Sequence, residues 1–392
     1  MTTTFAAKFR QPPSAGWLSS LLAGGLVLLA LFVMHTPAQC ADPIKIASIY
    51  AFSGPAAAYN SSSVAGVRFA VKEINARGGI LGRPVDLIEF DNRSTPIGSK
   101  VAADSAVQAD VAAIIGAAIS SHSIAIAKVA QENGIPMITN VSTNPMVTQV
   151  GDYIFRACFT DGLQGAVMGH FARNELKAES VVVLFNVSSD YSMGLARTFE
   201  DAFVKQGGTV LAKVPYKDRQ PHFRDLSARV KAVHPDVVFI AGHFESAGIV
   251  QELVHEGVTA IPLGGDGWDE ETFYDRGGKK IALGYYTTHW SQDIDTAVSA
   301  RFVKRYSASG RIFTGTALAY DAVWLLADAI KRAGSIEHND VRKALAQTSA
   351  FEGVTGRLSF NTDGDPLKDV VIMMIRNGRP VYLKRVTPDS RK

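Results

Sequence analysis

The chain has 392 residues, a length typical of two domains, and 47% of them are hydrophobic and 20% charged, so wholesale disorder is excluded. Its 40 Lys and Arg residues nearly balance 37 Asp and Glu residues, which argues against a nucleic-acid-binding protein with a basic stripe. Two cysteines exclude a disulfide scaffold and a multi-cysteine zinc or iron–sulfur site.

The N-terminal segment carries the only charge asymmetry of the chain. Lys8 and Arg10 are the only charged residues among the first 41, and an apolar run from Trp17 to Met34 follows them. Small residues come next, so the segment has the pattern of a secretory signal peptide. We therefore predict that residues 1–40 direct export to the periplasm and are then removed. A retained membrane anchor is the alternative, because about 18 apolar residues can just span a bilayer.

Short apolar strands alternate with amphipathic helices in two successive series. The first series predicts strands over 44–50, 85–90, 111–115 and 135–139, with helices over 64–75, 97–109 and 121–133. The second predicts strands over 181–185, 210–214, 237–240 and 261–263, helices over 193–205, 223–233, 247–256, 297–306 and 316–333, and further strands within 356–386. This alternation indicates βαβ units, and hence an α/β protein with two lobes built on parallel sheets.

The usual motifs of cofactor-binding and catalytic sites are absent from the sequence. No G-x-G-x-x-G follows a strand, and there is no P-loop, G-x-S-x-G or H-E-x-x-H motif. The nine histidines are scattered without a metal-ligand spacing, so we predict no metal site and no cofactor. His122 beside Ser120 and Ser121 leaves an enzyme as an alternative, but no orienting acid stands at a fixed spacing.

Polar and aromatic residues follow the predicted strands, where open parallel sheets bind their ligands. The first lobe offers hydroxyls at helix N-termini, which suit a carboxylate. These are Ser120, Ser121, Ser123, Ser142 and Thr143. The second lobe offers Asp266, which suits an ammonium group, and aromatic walls are available from Tyr59, Tyr191 and Phe244. Each residue alone has a plainer interpretation as a helix cap or a turn residue, but together they predict a zwitterion held between the lobes.

Several stretches of the chain resemble the type I periplasmic binding proteins of ABC transporters, in their leucine/isoleucine/valine-binding branch. They are residues 44–47 with 52–55, 66–80, 143–145, Tyr191 with 194–196, and 319–322. The stretch Ile-Asn-Ala-Arg-Gly-Gly-Ile at 74–80 is the most specific of them. The resemblance extends from about residue 44 to about residue 386.

The resemblance implies two Rossmann-like lobes joined by a three-strand hinge, with the ligand in the interlobe cleft. The first lobe would comprise 43–160 plus 291–368, and the second 161–290 plus 369–392. The implied function is that of the extracytoplasmic solute-binding component of an ABC importer, which captures an amino acid by hinge closure and is not an enzyme. Its partners would be the ligand and the importer's membrane permease, and the protein itself would be a monomer.

The resemblance also implies a role for individual residues. Ser120, the Val141 backbone and Thr143 would hold the ligand's carboxylate, and Asp266 would meet its ammonium with help from Tyr191. Further residues are assigned to the side-chain pocket or its surroundings: Tyr59 and Phe244 as pocket walls, and Tyr320 on the hinge side. His243 and Phe244 stand where relatives carry a tyrosine pair, so leucine specificity stays open, with aromatic acids, amides or urea as alternative ligands. A membrane-anchored sensor ectodomain is the other alternative.

Overall fold

The computed structural model describes residues 1–10, 42–217, 220, 222–306 and 311–388. Residues 11–40 of the predicted signal peptide lie outside these ranges. Fourteen strands are present in the described part of the chain. They are β1 (Ile44–Tyr50), β2 (Val85–Asp91), β3 (Ala113–Gly116), β4 (Met137–Thr139), β5 (Ile154–Arg156), β6 (Ser180–Asn186), β7 (Thr209–Tyr216), β8 (Val237–Ala241), β9 (Ile261–Gly264), β10 (Leu283–Thr288), β11 (Phe351–Gly353), β12 (Gly356–Leu358), β13 (Val370–Arg376) and β14 (Arg379–Val386).

Eleven α-helices accompany these strands in the same described ranges. They are α1 (Ala57–Ala76), α2 (Pro96–Gln108), α3 (Ser120–Glu132), α4 (Asp161–Asn174), α5 (Asp190–Lys205), α6 (Arg224–Val233), α7 (Ser246–His255), α8 (Glu271–Asp275), α9 (Ala297–Tyr306), α10 (Thr314–Ala333) and α11 (His338–Ala346). The strand–helix alternation predicted from the sequence is therefore confirmed.

The strands form two main sheets, one in each lobe. The first lobe has a five-stranded parallel sheet in the order β2-β1-β3-β4-β5. The second lobe has a seven-stranded sheet in the order β14-β13-β10-β9-β8-β6-β7, in which β13 runs antiparallel to both of its neighbours, β10 and β14. The last strands of the chain thus return to the second sheet, so the two lobes are interleaved in sequence.

Helices cover both faces of each sheet, as expected for strands that are apolar on both sides. In the first lobe α1, α10 and α11 pack on one face, whereas α2 and α3 pack on the other. In the second lobe α6 and α7 cover one face, and α4 and α5 cover the other. Because all five strands of the main first-lobe sheet are parallel, their carboxyl ends meet at one edge, and that edge faces the second lobe.

The chain passes between the lobes three times: after β5, after β10 and before β13. Lys368 joins two of these passages, since its buried Nζ donates a hydrogen bond of 3.0 Å to the Ala157 carbonyl oxygen. The same ammonium donates to the Thr355 hydroxyl, which itself donates to Asp321 of α10 at 2.6 Å. Burial lowers the pKa of Lys368, and Asp321 opposes that shift. The exact lobe boundaries at 160, 290 and 368 stay a prediction.

Candidate functional site

Asp266 lies directly after β9 at the cleft edge of the second lobe, and it is 3% exposed. Its Oδ1 accepts hydrogen bonds from Gln164 Nε2 at 2.8 Å and from the Tyr191 hydroxyl at 2.9 Å. Its Oδ2 lies 3.2 Å from His289 Nε2. Burial alone would raise the pKa of Asp266, but these hydrogen bonds outweigh burial and hold the pKa below its usual value. The side chain therefore stays a charged carboxylate despite its burial.

His289 supports Asp266 from behind, on the second passage between the lobes. Its ring packs on Phe159 of the first passage, with ring centroids 3.7 Å apart. Its Nδ1 is buried without a hydrogen-bond partner, and burial lowers the pKa of the imidazole. Both observations assign a neutral ring with its proton on Nε2, from which it donates to Asp266. The hinge thus contacts the acid of the site directly.

Gln164 and Asp161 of α4 connect Asp266 to the first lobe. Gln164 Nε2 also donates to Asp161 Oδ1 at 2.9 Å, and the Asp161 amide donates to the Thr143 carbonyl oxygen at 2.9 Å. Burial raises the pKa of Asp161 to about 7, and the nearby charge of Asp266 adds to that shift. Thr143 lowers the pKa of Asp161 by its proximity, although neither its Oγ1 nor Asp161 Oδ2 makes an aligned hydrogen bond.

The first-lobe side of the cleft consists of the α3 N-terminus and the loop after β4. Ser120 is the first residue of α3, and its Oγ accepts a 3.3 Å hydrogen bond from the Asn144 amide. Val141 and Thr143 in the loop are buried, and the Thr143 hydroxyl has no aligned partner within the protein. A helix N-terminus beside an unsatisfied hydroxyl provides donors that a carboxylate can accept from.

Arg156 of β5 fixes this loop from below and is fully buried. Its Nη1 donates to the Ser142 carbonyl oxygen at 2.7 Å, and its Nη2 donates to the Asn144 carbonyl oxygen at 2.9 Å. Its Nε lies 2.6 Å from Asp365 Oδ1, a close ion pair that is not aligned as a hydrogen bond. The planar guanidinium therefore holds the carbonyl oxygens on both sides of Thr143 in one geometry.

An aromatic wall made of Tyr59, Tyr191, His243 and Phe244 closes the site across both lobes. The His243 ring lies 5.2 Å from Tyr59 in an edge-on contact and 4.4 Å from Tyr191. Phe244 lies 5.9 Å from Tyr59, and the Arg276 guanidinium covers the Phe244 ring at 4.5 Å. Tyr59 belongs to the first lobe and the other rings of the wall to the second, so the wall is complete only when the lobes are together.

The structure brings six of the eight predicted residues into two facing groups. Asp266, Tyr191 and Phe244 lie on the second-lobe side, and Ser120, Val141 and Thr143 on the first-lobe side. Tyr59 joins the two groups through its ring contacts. Tyr320 lies apart from these groups: its hydroxyl donates to Glu73 at 2.8 Å and accepts from Arg305 at 3.0 Å. The roles of all eight predicted residues in ligand binding stay predictions.

Sequence reasoning missed Gln164, His289 and Arg156. Gln164 belongs to α4, which the hydrophobic pattern did not indicate. His289 follows the carboxyl end of β10, so the strand-end rule finds it once that strand is recognised. Arg156 ends β5, a strand of three residues that is too short to stand out. Within the described residues, no group of His, Cys, Asp and Glu could hold a metal ion, and no described helix is long and apolar enough to cross a membrane.

Comparisons with known proteins agree with this architecture. The family model for periplasmic binding proteins matches residues 43–380. A Leu/Ile/Val-binding protein homolog from Brucella melitensis is 29% identical over 347 residues, which cover 86% of this chain and 92% of the relative.

Two solved structures are similar along nearly their whole length. The leucine-binding protein LivK of Thermotoga maritima has a TM-score of 0.84 at 33% identity, covering 88% of this chain and 99% of LivK. LivJ of Streptococcus pneumoniae, solved with isoleucine, has a TM-score of 0.83 at 30% identity, covering 88% of this chain and all of LivJ. This chain therefore belongs to the periplasmic binding protein family, in the type I Leu/Ile/Val-binding branch that its sequence resembles.

Proposed function

We propose that this solute-binding protein captures an amino acid between its lobes and presents it to the membrane permease of an ABC importer. The observation that carries the proposal is the path from Asp266 through Gln164 and Asp161 to Thr143, which is hydrogen-bonded at every step. This path holds the Asp266 carboxylate, which would bind the ligand's ammonium, opposite the first-lobe donors that would bind the ligand's carboxylate. The similar proteins named for leucine, isoleucine and valine support this ligand class.

The mechanism is closure about the hinge. The amino acid first docks on the first lobe, where Ser120, Thr143 and the Val141 backbone receive its carboxylate. The second lobe then swings in, brings Asp266 and Tyr191 to the ammonium and excludes water. Because Asp266 is already held by three side chains, it loses no further conformational entropy on binding. The closed pair of lobes then forms the surface that the permease recognises.

Several features of the protein's context belong to the same proposal. The family places the protein outside the cytoplasm, and the N-terminal pattern supports a periplasmic location after cleavage near residue 40. A lobe division at 160, 290 and 368 agrees with the three passages described above. Capture of a small ligand needs no second subunit, so we propose a monomer.

The test is Asp266→Asn, which keeps the shape of the side chain and removes its charge. Losing one partner of a buried charge pair costs about 2–5 kcal/mol, so amino-acid affinity should fall by about 30-fold or more in calorimetry. The matched control is Asp275→Asn on α8, where the acid is exposed and pairs with Lys279. Unchanged affinity of Asp266→Asn for an amino acid that the parent binds would refute the clamp. Mass spectrometry of small molecules carried by freshly purified protein identifies that ligand.

A further inference from the structure

The aromatic wall holds two polar groups that the protein itself leaves without a hydrogen bond. Neither the Tyr59 hydroxyl nor the His243 imidazole bonds to any described residue, although the two rings touch each other edge-on. Tyr59 is 2% exposed and His243 is 9% exposed. Neither group is among the fully buried unpaired atoms of the described chain, so the polar atoms of both keep some exposure to water.

Closure around a ligand changes the situation of these two groups. Once water is excluded, each must bond to the ligand or stay unpaired, and an unpaired buried polar group costs about 1–3 kcal/mol. A purely aliphatic side chain has neither a donor nor an acceptor for these two groups. A side chain with both a donor and an acceptor can pair with both groups, because a neutral imidazole and a phenol each donate and accept.

The charges around the wall oppose an anionic side chain. Burial and four acids, Glu270, Asp266, Glu245 and Asp269, raise the pKa of Tyr59, so the surroundings are acidic and oppose a carboxylate side chain. The neighbouring imidazole of His122 is neutral, because burial and, to a lesser extent, His243 lower its pKa to about 4, so it adds no charge to the wall. An ammonium side chain could only donate to the two unpaired groups. A carboxamide is neutral and carries one donor group and one acceptor group.

We infer that His243 and Tyr59 hydrogen-bond the side chain of the bound amino acid, and that the ligand is an amino acid with a carboxamide side chain, asparagine or glutamine, rather than an aliphatic one. This inference rests on the proposed function, since it assumes that an amino acid is bound in the cleft. It makes His243 a specificity-determining residue. It also gives the Tyr59 hydroxyl a hydrogen-bonding role, in addition to the packing role of the Tyr59 ring in the aromatic wall.

Asparagine and leucine provide the sharpest comparison, because their side chains have nearly the same shape and differ in polarity. Calorimetry on ligand-stripped protein should show asparagine or glutamine binding at least about tenfold tighter than leucine, since a site built to hydrogen-bond rejects analogues that cannot. His243→Phe keeps a ring against Tyr59 and Tyr191 but removes both nitrogens. It should abolish most of that preference and leave leucine affinity unchanged or improved.

Tyr59→Phe is the second variant and removes only the hydroxyl, so it should reduce the preference even if His243→Phe fails to fold. Leucine binding tighter than both amides in the parent protein would overturn the inference while leaving the proposed function intact. A parent preference for amides that neither variant reduces would overturn the assignment of these residues. Failure of every amino acid to bind would overturn the proposed function as well. The Asp266→Asn variant could then show no loss of amino-acid affinity.

Discussion

Ser62 in α1 of the first lobe donates its hydroxyl hydrogen bond to the Glu270 carboxyl of the second lobe, at 2.8 Å to Oε1 and 2.9 Å to Oε2. Glu270 is 4% exposed, and burial raises its pKa well above the usual value despite this bond. Next to it, Arg311 Nη2 donates to Asp269 Oδ1 at 2.6 Å and ties the loop before α10 to the same segment of the second lobe. Neighbouring acids of one lobe thus contact the other lobe, beside the proposed ligand site.

Ser62→Ala should weaken ligand binding although Ser62 lies outside the proposed ligand contacts. The variant leaves the Glu270 carboxyl buried without its side-chain donor in the closed state, whereas water can solvate it in the open state. The cost of about 1–3 kcal/mol falls on closure, so the dissociation constant should rise by about 5- to 150-fold in calorimetry. Ser61→Ala is the control, because the Ser61 hydroxyl donates to Ala58 of its own helix at 2.7 Å. Equal affinity of the two variants would contradict this role for Ser62.

Gly315→Ala should also impair closure, through steric overlap at the α10 N-terminus. A Cβ on Gly315 would lie 2.5 Å from Ser62 Oγ and 2.6 Å from Glu270 Oε1. The overlap with Glu270 exists only when the lobes are together, whereas the overlap with Ser62 lies within the first lobe and is relieved when the serine hydroxyl rotates. The ligand-free protein should therefore lose little stability. We expect weaker binding in calorimetry together with a nearly unchanged melting temperature of the ligand-free protein.

Gly162→Ala in α4 is the control for that substitution, since its Cβ would meet only Thr160 Oγ1, at 3.6 Å. If Gly315→Ala binds as tightly as the parent, the lobes do not approach as closely in solution as they do here.

The sequence predicted the strand–helix alternation and most of the cleft residues. It did not predict helical turns in which buried polar or small residues replace the apolar residues of the inward-facing side. Helix α1 begins at Ala57 and not at Val64, because Asn60 and Ser63 in its first turns are buried through hydrogen bonds. Hydrophobic periodicity cannot detect such turns.

Helix α4 was missed for a related reason. It contains Gly165 and Gly169, whose lack of a side chain allows close packing on α5: a Cβ on Gly165 would lie 2.2 Å from Thr198 Oγ1. Glycine lowers helix propensity, so the residue pattern there carries no helical signal. Because Gln164 and Asp161 belong to this helix, the connection between Asp266 and Thr143 could not be predicted. The proximity of Tyr59 and His243 depends on how the lobes meet, which no local pattern encodes.

Asp161 should make the protein less stable as the pH rises. Its pKa in the folded protein is about 7, above the usual value of 3.8, so the folded state retains a proton that the unfolded state releases. This contribution to stability is complete below about pH 4 and is lost as the pH rises through 7. Asp161→Asn resembles the protonated acid and should raise the melting temperature at pH 8 but hardly at pH 4.5. Calorimetric melting at both pH values checks this, and an equal effect at both would show that protonation is not involved.

Arg156→Gln should destabilise the fold and also loosen the loop that we propose binds the ligand's carboxylate. The variant removes a fully buried guanidinium, so Asp365 and the Ser142 and Asn144 carbonyl oxygens lose their partner. Breaking a buried pair costs about 3–5 kcal/mol, and urea unfolding should show a drop of that size. Arg357→Gln is the control, because both side chains of its pair with Glu352 are largely exposed and such pairs contribute about 0.2–1 kcal/mol. Arg156 fixes the backbone around Thr143. Under conditions in which both variants are still folded, Arg156→Gln should therefore also weaken amino-acid binding, and the control should not. A drop no larger than that of the control would mean that the loop is held by its remaining contacts.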